Sequence, residues 1–344
     1  MCFDEPLDCS INEDELKIMS FNEILDTEFN RKSAVIDGLL YRGTYVLAGA
    51  PKSGKSFLAE QIAFHVATGT PLWNYEVRQG TVLYLALEDT YKRLQTRLYR
   101  MFRTLEAKNL YFATYAHSLD NGLLDSLNLF IDKHGDTSLI IIDTLQKVRE
   151  ASNNYSYSKD YEVISALKQF ADTRGCCLLL IHHTRKQKAD DVFEMISGTN
   201  GILGSADGAM ILNKANRTDT SAILSVSGRD QADMRIKLKR NPNTLAWNMV
   251  AVEQEVYEES NDPIIEAIAR FVNDNQPQWS GTATELTDLL SLNMKPNALS
   301  RHLNVHSLDL IEKHIHYSTS RSHTGRKITL NYENNSNEAE KHVC

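Results

Sequence analysis

No apolar run in this 344-residue chain approaches the roughly 20 residues that a membrane-spanning helix needs. The longest runs, residues 176–181 and 139–142, are strand-sized, so no membrane partner is expected. Cysteine is scarce. The five present, at positions 2, 9, 176, 177 and 344, form no CxxC pair, so their spacing implies neither a disulfide framework nor a zinc site. An excess of positive charge is also missing: 37 Lys and Arg stand against 45 Asp and Glu, a net charge of −8. Nucleic-acid contact would therefore have to come from local basic loops rather than an overall field. The start of the chain lacks the basic, apolar, small-residue order of a signal peptide, since Asp4, Glu5, Asp8, Glu13, Asp14 and Glu15 crowd it. A cytoplasmic location is expected. There is no internal repeat. Hydrophobic residues at 42% and charged residues at 24% are near globular averages, which excludes wholesale disorder and a coiled-coil rod.

The order of patterns along the chain predicts four parts. Residues 1–32 read as an acidic arm with one weak apolar period, Ile18, Phe21, Ile24 and Leu25. Residues 33–255 alternate apolar strand-like runs (45–48, 81–87, 110–115, 139–142, 177–181) with helical stretches (55–68, 91–106, 123–134, 159–174), which predicts a mainly parallel α/β sheet. After Gly208 four further runs, 209–212, 222–227, 234–239 and 245–252, joined by short turns, read as antiparallel edge strands. Residues 262–332 show three amphipathic helices and then two strands, the order of a winged helix-turn-helix, and 333–344 form a polar tail.

Gly49-Ala50-Pro51-Lys52-Ser53-Gly54-Lys55-Ser56 fits GxxxxGK[ST] between a predicted strand and a predicted helix, the setting that this motif requires. Backbone N–H groups and the helix N-terminus can surround phosphates, Lys55 can neutralise β and γ oxygens, and Ser56 can offer its hydroxyl to Mg²⁺. ATP and Mg²⁺ are the expected ligands. Phe57 follows directly and belongs to the same nucleotide-binding segment. Residues 139–142 run into Asp143, a carboxylate where a buried strand should end, able to hold Mg²⁺ through water. A second strand ends in Glu88 and Asp89; Glu88 is placed to take a proton from the attacking water, while Asp89 or Thr90 can cap the next helix. A third strand ends in His182 and His183, of which at most one can face the nucleotide because adjacent strand residues point oppositely.

Together these segments resemble the RecA-fold, AAA-type P-loop ATPases, and most closely the RepA-like hexameric helicase branch of plasmids and mobile elements. The resemblance covers about residues 30–255. It extends to the glycine-rich stretch 197–207 and to Ser227-Gly228-Arg229-Asp230, which is similar to a later arginine motif. It implies a RecA-like core, Glu88 as general base, Lys55 and Ser56 on phosphate and magnesium, Asp143 ordering magnesium, and His183 sensing the γ-phosphate. It also implies a homo-oligomeric ring, a hexamer, that acts on single-stranded or duplex DNA, with replication proteins as further partners. Arg229 is the candidate arginine finger, with Arg240 as the other choice; a surface pairing of Arg229 with Asp230 or Asp233 is the alternative. Arg93 either stacks on adenine or faces solvent.

In such a ring, loops 147–159 and 184–201 would line a channel. Arg149, Tyr155, Tyr157 and Lys159 suit a single strand by charge and stacking, although a polar loop without ligand is an equal reading. In the C-terminal region seven Lys and Arg balance seven Asp and Glu between 262 and 330. If it binds duplex DNA, Lys295, Asn297, Arg301 and His302 would meet the major groove, with Arg321, His323, Arg326 and Lys327 on phosphates. Protein docking is the other use of such a unit.

Overall fold

The runs that end in the candidate site residues have no polar face, and the computed structural model explains why. Every residue of Gly43–Gly49 and of Thr137–Asp143 is buried, as a strand covered by helices on both sides requires. The structure describes residues 18–27, 34–149, 157–184, 193, 204–216, 218–229, 231–254, 262–273, 275–322 and 325–333. These divide into two compact units, one between residues 32 and 257, the other formed by the N-terminal arm with the residues from 258 onward.

In chain order the elements are α1 (Phe21–Asp26), β1 (Ala34–Ile36), β2 (Leu40–Tyr41), β3 (Gly43–Gly49), α2 (Lys55–Thr68), β4 (Thr81–Ala86), α3 (Tyr91–Phe102), β5 (Leu110–Ala113), α4 (Leu123–His134), β6 (Thr137–Asp143), α5 (Leu145–Val148), α6 (Tyr157–Arg174), β7 (Cys177–His183), β8 (Gly208–Asn213), β9 (Ser221–Gly228), β10 (Gln231–Arg240) and β11 (Trp247–Gln254). The second unit continues with α7 (Pro263–Phe271), β12 (Gln278–Thr282), α8 (Ala283–Leu289), α9 (Pro296–Val305), α10 (Ser307–Glu312), β13 (Ile315–Ser322) and β14 (Gly325–Tyr332).

Nine strands of the larger unit form one sheet in the order β11-β10-β9-β8-β3-β7-β6-β4-β5. Alternate residues of its central strands point to opposite faces. Leu47, Leu139 and Ile181 pack with Leu58, Ile62 and Val66 of α2 on one face, while Val46, Ile140 and Leu180 pack with Leu127 of α4 and Leu167 of α6 on the other. The register aligns Gly49 with His183 across β3 and β7, and Ala86 with Asp143 across β4 and β6. The P-loop, the Asp143 end and the His183 end thus share the carboxyl edge of the sheet, where ligands of open α/β sheets bind.

One expectation needs correction. The run 209–212 is not the first antiparallel edge strand: β8 pairs parallel to β3, and only β9, β10 and β11 are antiparallel. β7 and β8 flank β3 on either side and both run in its direction.

The second unit has its own core, with Ile265, Ile268, Leu286, Leu299, Leu303, Leu310, Ile328 and Leu330 among its buried residues. Its three strands pair in the order β12-β14-β13, antiparallel throughout. Two elements here, β12 and α10, were not anticipated from the sequence. Asp262 caps α7, accepting the N–H groups of Ile264 (2.8 Å) and Ile265 (3.3 Å), with Pro263 in the first turn where its missing N–H costs nothing. Thr282 and Glu285 form a capping box on α8, as do Ser20 and Glu23 on α1. Helix α1 lies against α9 through polar contacts: Arg301 donates to Asp26 (2.7 Å) and Asn22 (3.0 Å), Asn304 to the Leu25 carbonyl (3.1 Å), and Arg326 to the Asp26 carbonyl (3.0 Å).

Leu303 is fully buried in this second core. Leu303→Ala should cost about 2–5 kcal/mol in that unit, read as a lower urea midpoint by circular dichroism, with ATP binding unchanged. Loss of ATP binding would show that the two cores do not fold independently.

Candidate functional site: a P-loop at the carboxyl edge of the sheet

The loop between β3 and α2 is shaped by backbone that few residues tolerate. Gly54 holds φ of 106° and Lys52 holds φ of 65°, in the left-handed region. Gly49 is required for a different reason: a Cβ there would stand 2.6 Å from the Leu212 carbonyl oxygen of β8, and backbone cannot move aside. At Gly54 a Cβ would stand 2.8 Å from the Trp247 ring. Trp247, fully buried in β11, donates its indole N–H to the Gly54 carbonyl (3.2 Å), and its own backbone exchanges hydrogen bonds with the Gln61 side chain (2.8 and 2.9 Å).

Lys55 is buried, with Nζ donating to the carbonyls of Gly49 (2.8 Å) and Ala50 (3.1 Å) and lying 3.3 Å from His183 Nδ1. An ammonium has donors only, so His183 Nδ1 is the acceptor and the ring proton sits on Nε2. Burial pulls the Lys55 amine down to about 8, opposed by the charges of Asp143 and Glu88. His183 is likewise lowered, first by burial and then by Lys55, which keeps it neutral near pH 7.

Asp143 is buried at the end of β6 and accepts from the Tyr84 hydroxyl (2.8 Å). Burial pushes its carboxyl above the usual range, while the bonds from Ser56 and Tyr84 hold it down. The motif serine is near enough to the strand-end aspartate to act on its carboxyl, and their oxygens make a donor set suited to Mg²⁺, a hard cation that takes one or two protein ligands with water and phosphate. Glu88 lies beyond the end of β4, where Thr144 donates to its carboxylate (3.1 Å) and the Leu87 N–H reaches the Asp143 carbonyl (2.7 Å). The peptide between Asp143 and Thr144 is cis.

The structure thus brings Lys55, Ser56, Asp143, Glu88 and His183 together, with Ala50, Pro51, Lys52 and Ser53 in the loop above them. Three sequence candidates lie differently. Arg93 is exposed and pairs with Asp89 at 3.2 Å. Phe57 sits between two guanidinium groups, Arg97 and Arg240, each 5.5 Å from its ring centroid, so it supports helix α2 by cation–π contact. Arg229 follows β9 at the amino edge of the sheet, donating to the Gly204 carbonyl (2.8 Å); Arg240 ends β10 at the carboxyl edge and also stacks on Trp247. The channel loop segments 150–156, 185–192 and 194–203, together with Asp230, His323 and the polar tail beyond Glu333, lie outside the described residues.

Several supporting residues carry no motif. Arg97 of α3 bonds to the fully buried Glu60 of α2 and to Asp89 (2.6 Å), linking the two helices next to the site. Burial pushes the Glu60 carboxyl up and Arg97 pulls against it. Only the spacing of Asp89, Arg93 and Arg97 at four-residue intervals hinted at this network. Tyr84, Thr144 and Trp247 gave no signal.

Residues 12–189 match the AAA domain family, and the chain belongs to it. With the geometry above, this defines a P-loop ATPase. No curated protein matches the chain. Among solved structures, a DnaB-like replicative helicase described with its interactions with primase aligns at 13% identity and a TM-score of 0.49, over 61% of this chain and 58% of that one. A KaiC-like protein from the hyperthermophilic archaeon Pyrococcus horikoshii OT3 aligns at 14% identity and a TM-score of 0.46, over 64% of this chain and 99% of that one. The chain thus spans less than two thirds of the helicase structure.

With its amine at about 8 in the free protein, Lys55 is largely neutral above that pH, and a bound polyphosphate restores its charge. Nucleotide binding at about pH 8.5 should therefore take up a substantial fraction of a proton, approaching zero near pH 6. Calorimetry in buffers of different ionisation enthalpy measures this. Equal uptake at both pH values would show that Lys55 is not the titrating group.

Proposed function

We propose that the chain is an ATP-hydrolysing RecA-fold motor that acts on DNA, of the RepA-like replicative kind, working as a homo-oligomeric ring. The observation that supports it is the convergence of Lys55, Asp143, Glu88 and His183 at one sheet edge, a set that a phosphate-binding loop alone would not need. Ser56 and Asp143 would hold Mg²⁺, which supplies charge stabilisation to the transferring phosphoryl group. Lys55 leaves the carbonyls of Gly49 and Ala50 for β and γ oxygens. Glu88, fixed by the Thr144 hydroxyl, orients the attacking water and takes its proton. His183 offers its Nε2 proton to the γ-phosphate while Nδ1 remains on Lys55. An arginine from a neighbouring subunit completes the charge balance; Arg229 is our first assignment, and the position of Arg240 at the P-loop edge makes it the necessary comparison.

Glu88→Gln should lower turnover at least about a hundredfold with ATP binding retained, the expected loss of a general base. Lys55→Ala should weaken binding itself. Normal hydrolysis by Glu88→Gln would remove Glu88 from the role. In mixtures with Lys55→Ala subunits, a finger variant should regain activity, because each defective subunit lends what the other lacks; the arginine whose variant is rescued in this way is the finger.

A second reading, an ATP-gated DNA-binding regulator, is favoured by the contacts of α1. We read the second unit as a winged helix, with α9 as the recognition helix and β13–β14 as the wing. Arg301 and Arg326, two of the side chains proposed to meet DNA, are both engaged by Asp26 of the arm, Arg301 by its carboxylate and Arg326 by its backbone carbonyl. Such solvent-exposed contacts are screened and weak, so phosphate can displace the arm. Steady-state ATPase rate with and without single-stranded and duplex DNA, at fixed salt, separates the readings. Strong single-strand stimulation supports the motor. A low rate indifferent to DNA, with duplex affinity raised severalfold by Asp26→Ala, supports the regulator.

A further inference from the structure

Asp262 divides its oxygens between two tasks. Oδ1 caps α7, as described, while Oδ2 faces His302 Nε2 at 2.8 Å and His306 Nε2 at 3.9 Å. The two imidazoles lie four residues apart at the carboxyl end of α9, His302 in its last turn and His306 at its cap, with ring centroids 4.3 Å from each other. One ligating atom from each of the three residues can be chosen so that all lie within 4.8 Å of one another. A tetrahedral ion with bonds of about 2.0–2.2 Å holds its ligand atoms roughly 3.3–3.6 Å apart, so small side-chain rotations bring this set to that spacing.

Two further features fit a cation here. Asp309 Oδ2 lies 2.6 Å from His306 Nδ1, so the ring proton sits on Nδ1 and the Nε2 lone pair is left towards Asp262. A carboxylate behind a ligating imidazole is the usual outer support of a metal site. The carbonyl end of α9 adds partial negative charge at the same place. The three side chains are each about a fifth to a third exposed, which leaves water room to complete the coordination.

We propose that Asp262, His302 and His306 form a binding site for a divalent transition-metal ion, zinc by preference, separate from the magnesium site of the P-loop. Two imidazole nitrogens and one carboxylate suit zinc and its neighbours, whereas magnesium prefers an all-oxygen set. The ion would fasten the first helix cap of the second unit to the end of α9, the helix that carries Arg301. The assignment does not depend on what that helix contacts.

The test uses the full chain, chelator-treated and nucleotide-free, titrated with Co²⁺ and then Zn²⁺. The expected result is a saturable visible absorption band from about one Co²⁺ per chain, displaced by Zn²⁺. His302→Gln and His306→Gln should each abolish the band, and Asp309→Asn should weaken binding about tenfold or more. Zinc should raise the unfolding temperature of the wild type but of neither histidine variant, each being shown to be folded by circular dichroism. Absence of a saturable band, or a band unchanged in both histidine variants, would overturn the proposal, the latter by assigning the ion to other histidines among the eleven in the chain.

Discussion

The amine of Lys55, held on two carbonyls of its own loop and on a neutral imidazole, is the interaction on which the rest of the ATPase unit depends. A buried ammonium is costly unless its donors are satisfied. The loop satisfies them by turning Gly49 and Ala50 carbonyls inward, and that turn requires the left-handed backbone at Lys52 and Gly54. The neighbours of the loop follow from the same demand. β8 approaches Gly49 so closely that no side chain fits, and Trp247 closes the other side. Burial leaves Lys55 only weakly committed to its proton, so an arriving phosphate meets a group whose charge it helps to restore.

Much of this was legible in the sequence because it is local. The eight residues 49–56 carry their own geometry, and apolar runs ending in Asp143, Glu88 and His183 announce strand ends on the side where a ligand binds. The structure adds what distance in sequence conceals. Glu60, Asp89 and Arg97 meet across two helices, Tyr84 reaches Asp143 from a neighbouring strand, and Trp247 supports Gly54 from 193 positions away. No periodicity encodes such pairings. The direction of β8 was hidden for a related reason: hydrophobic patterning states that a strand exists but not on which side of the sheet the chain re-enters.

The second unit illustrates the opposite balance. Its core was readable from helical spacing, yet its polar chemistry depends on contacts between distant segments. Arg301, which in a sequence looks like a free basic residue on a helix, holds the arm through Asp26 and Asn22. His302 and His306 look like an ordinary pair on a helix until Asp262, forty residues earlier, is seen beside them. Sequence spacing finds ligands supplied by one element and misses those supplied by two.

Trp247 has one more consequence. Its ring stands too close to Gly54 for a Cβ, its N–H holds the Gly54 carbonyl, and Arg240 from the end of β10 stacks on it. β11 is the outermost strand of the nine-stranded sheet. A shift of Gly54 towards a bound phosphate therefore pulls on that indole, and the far edge of the sheet feels what occupies the loop through a single side chain.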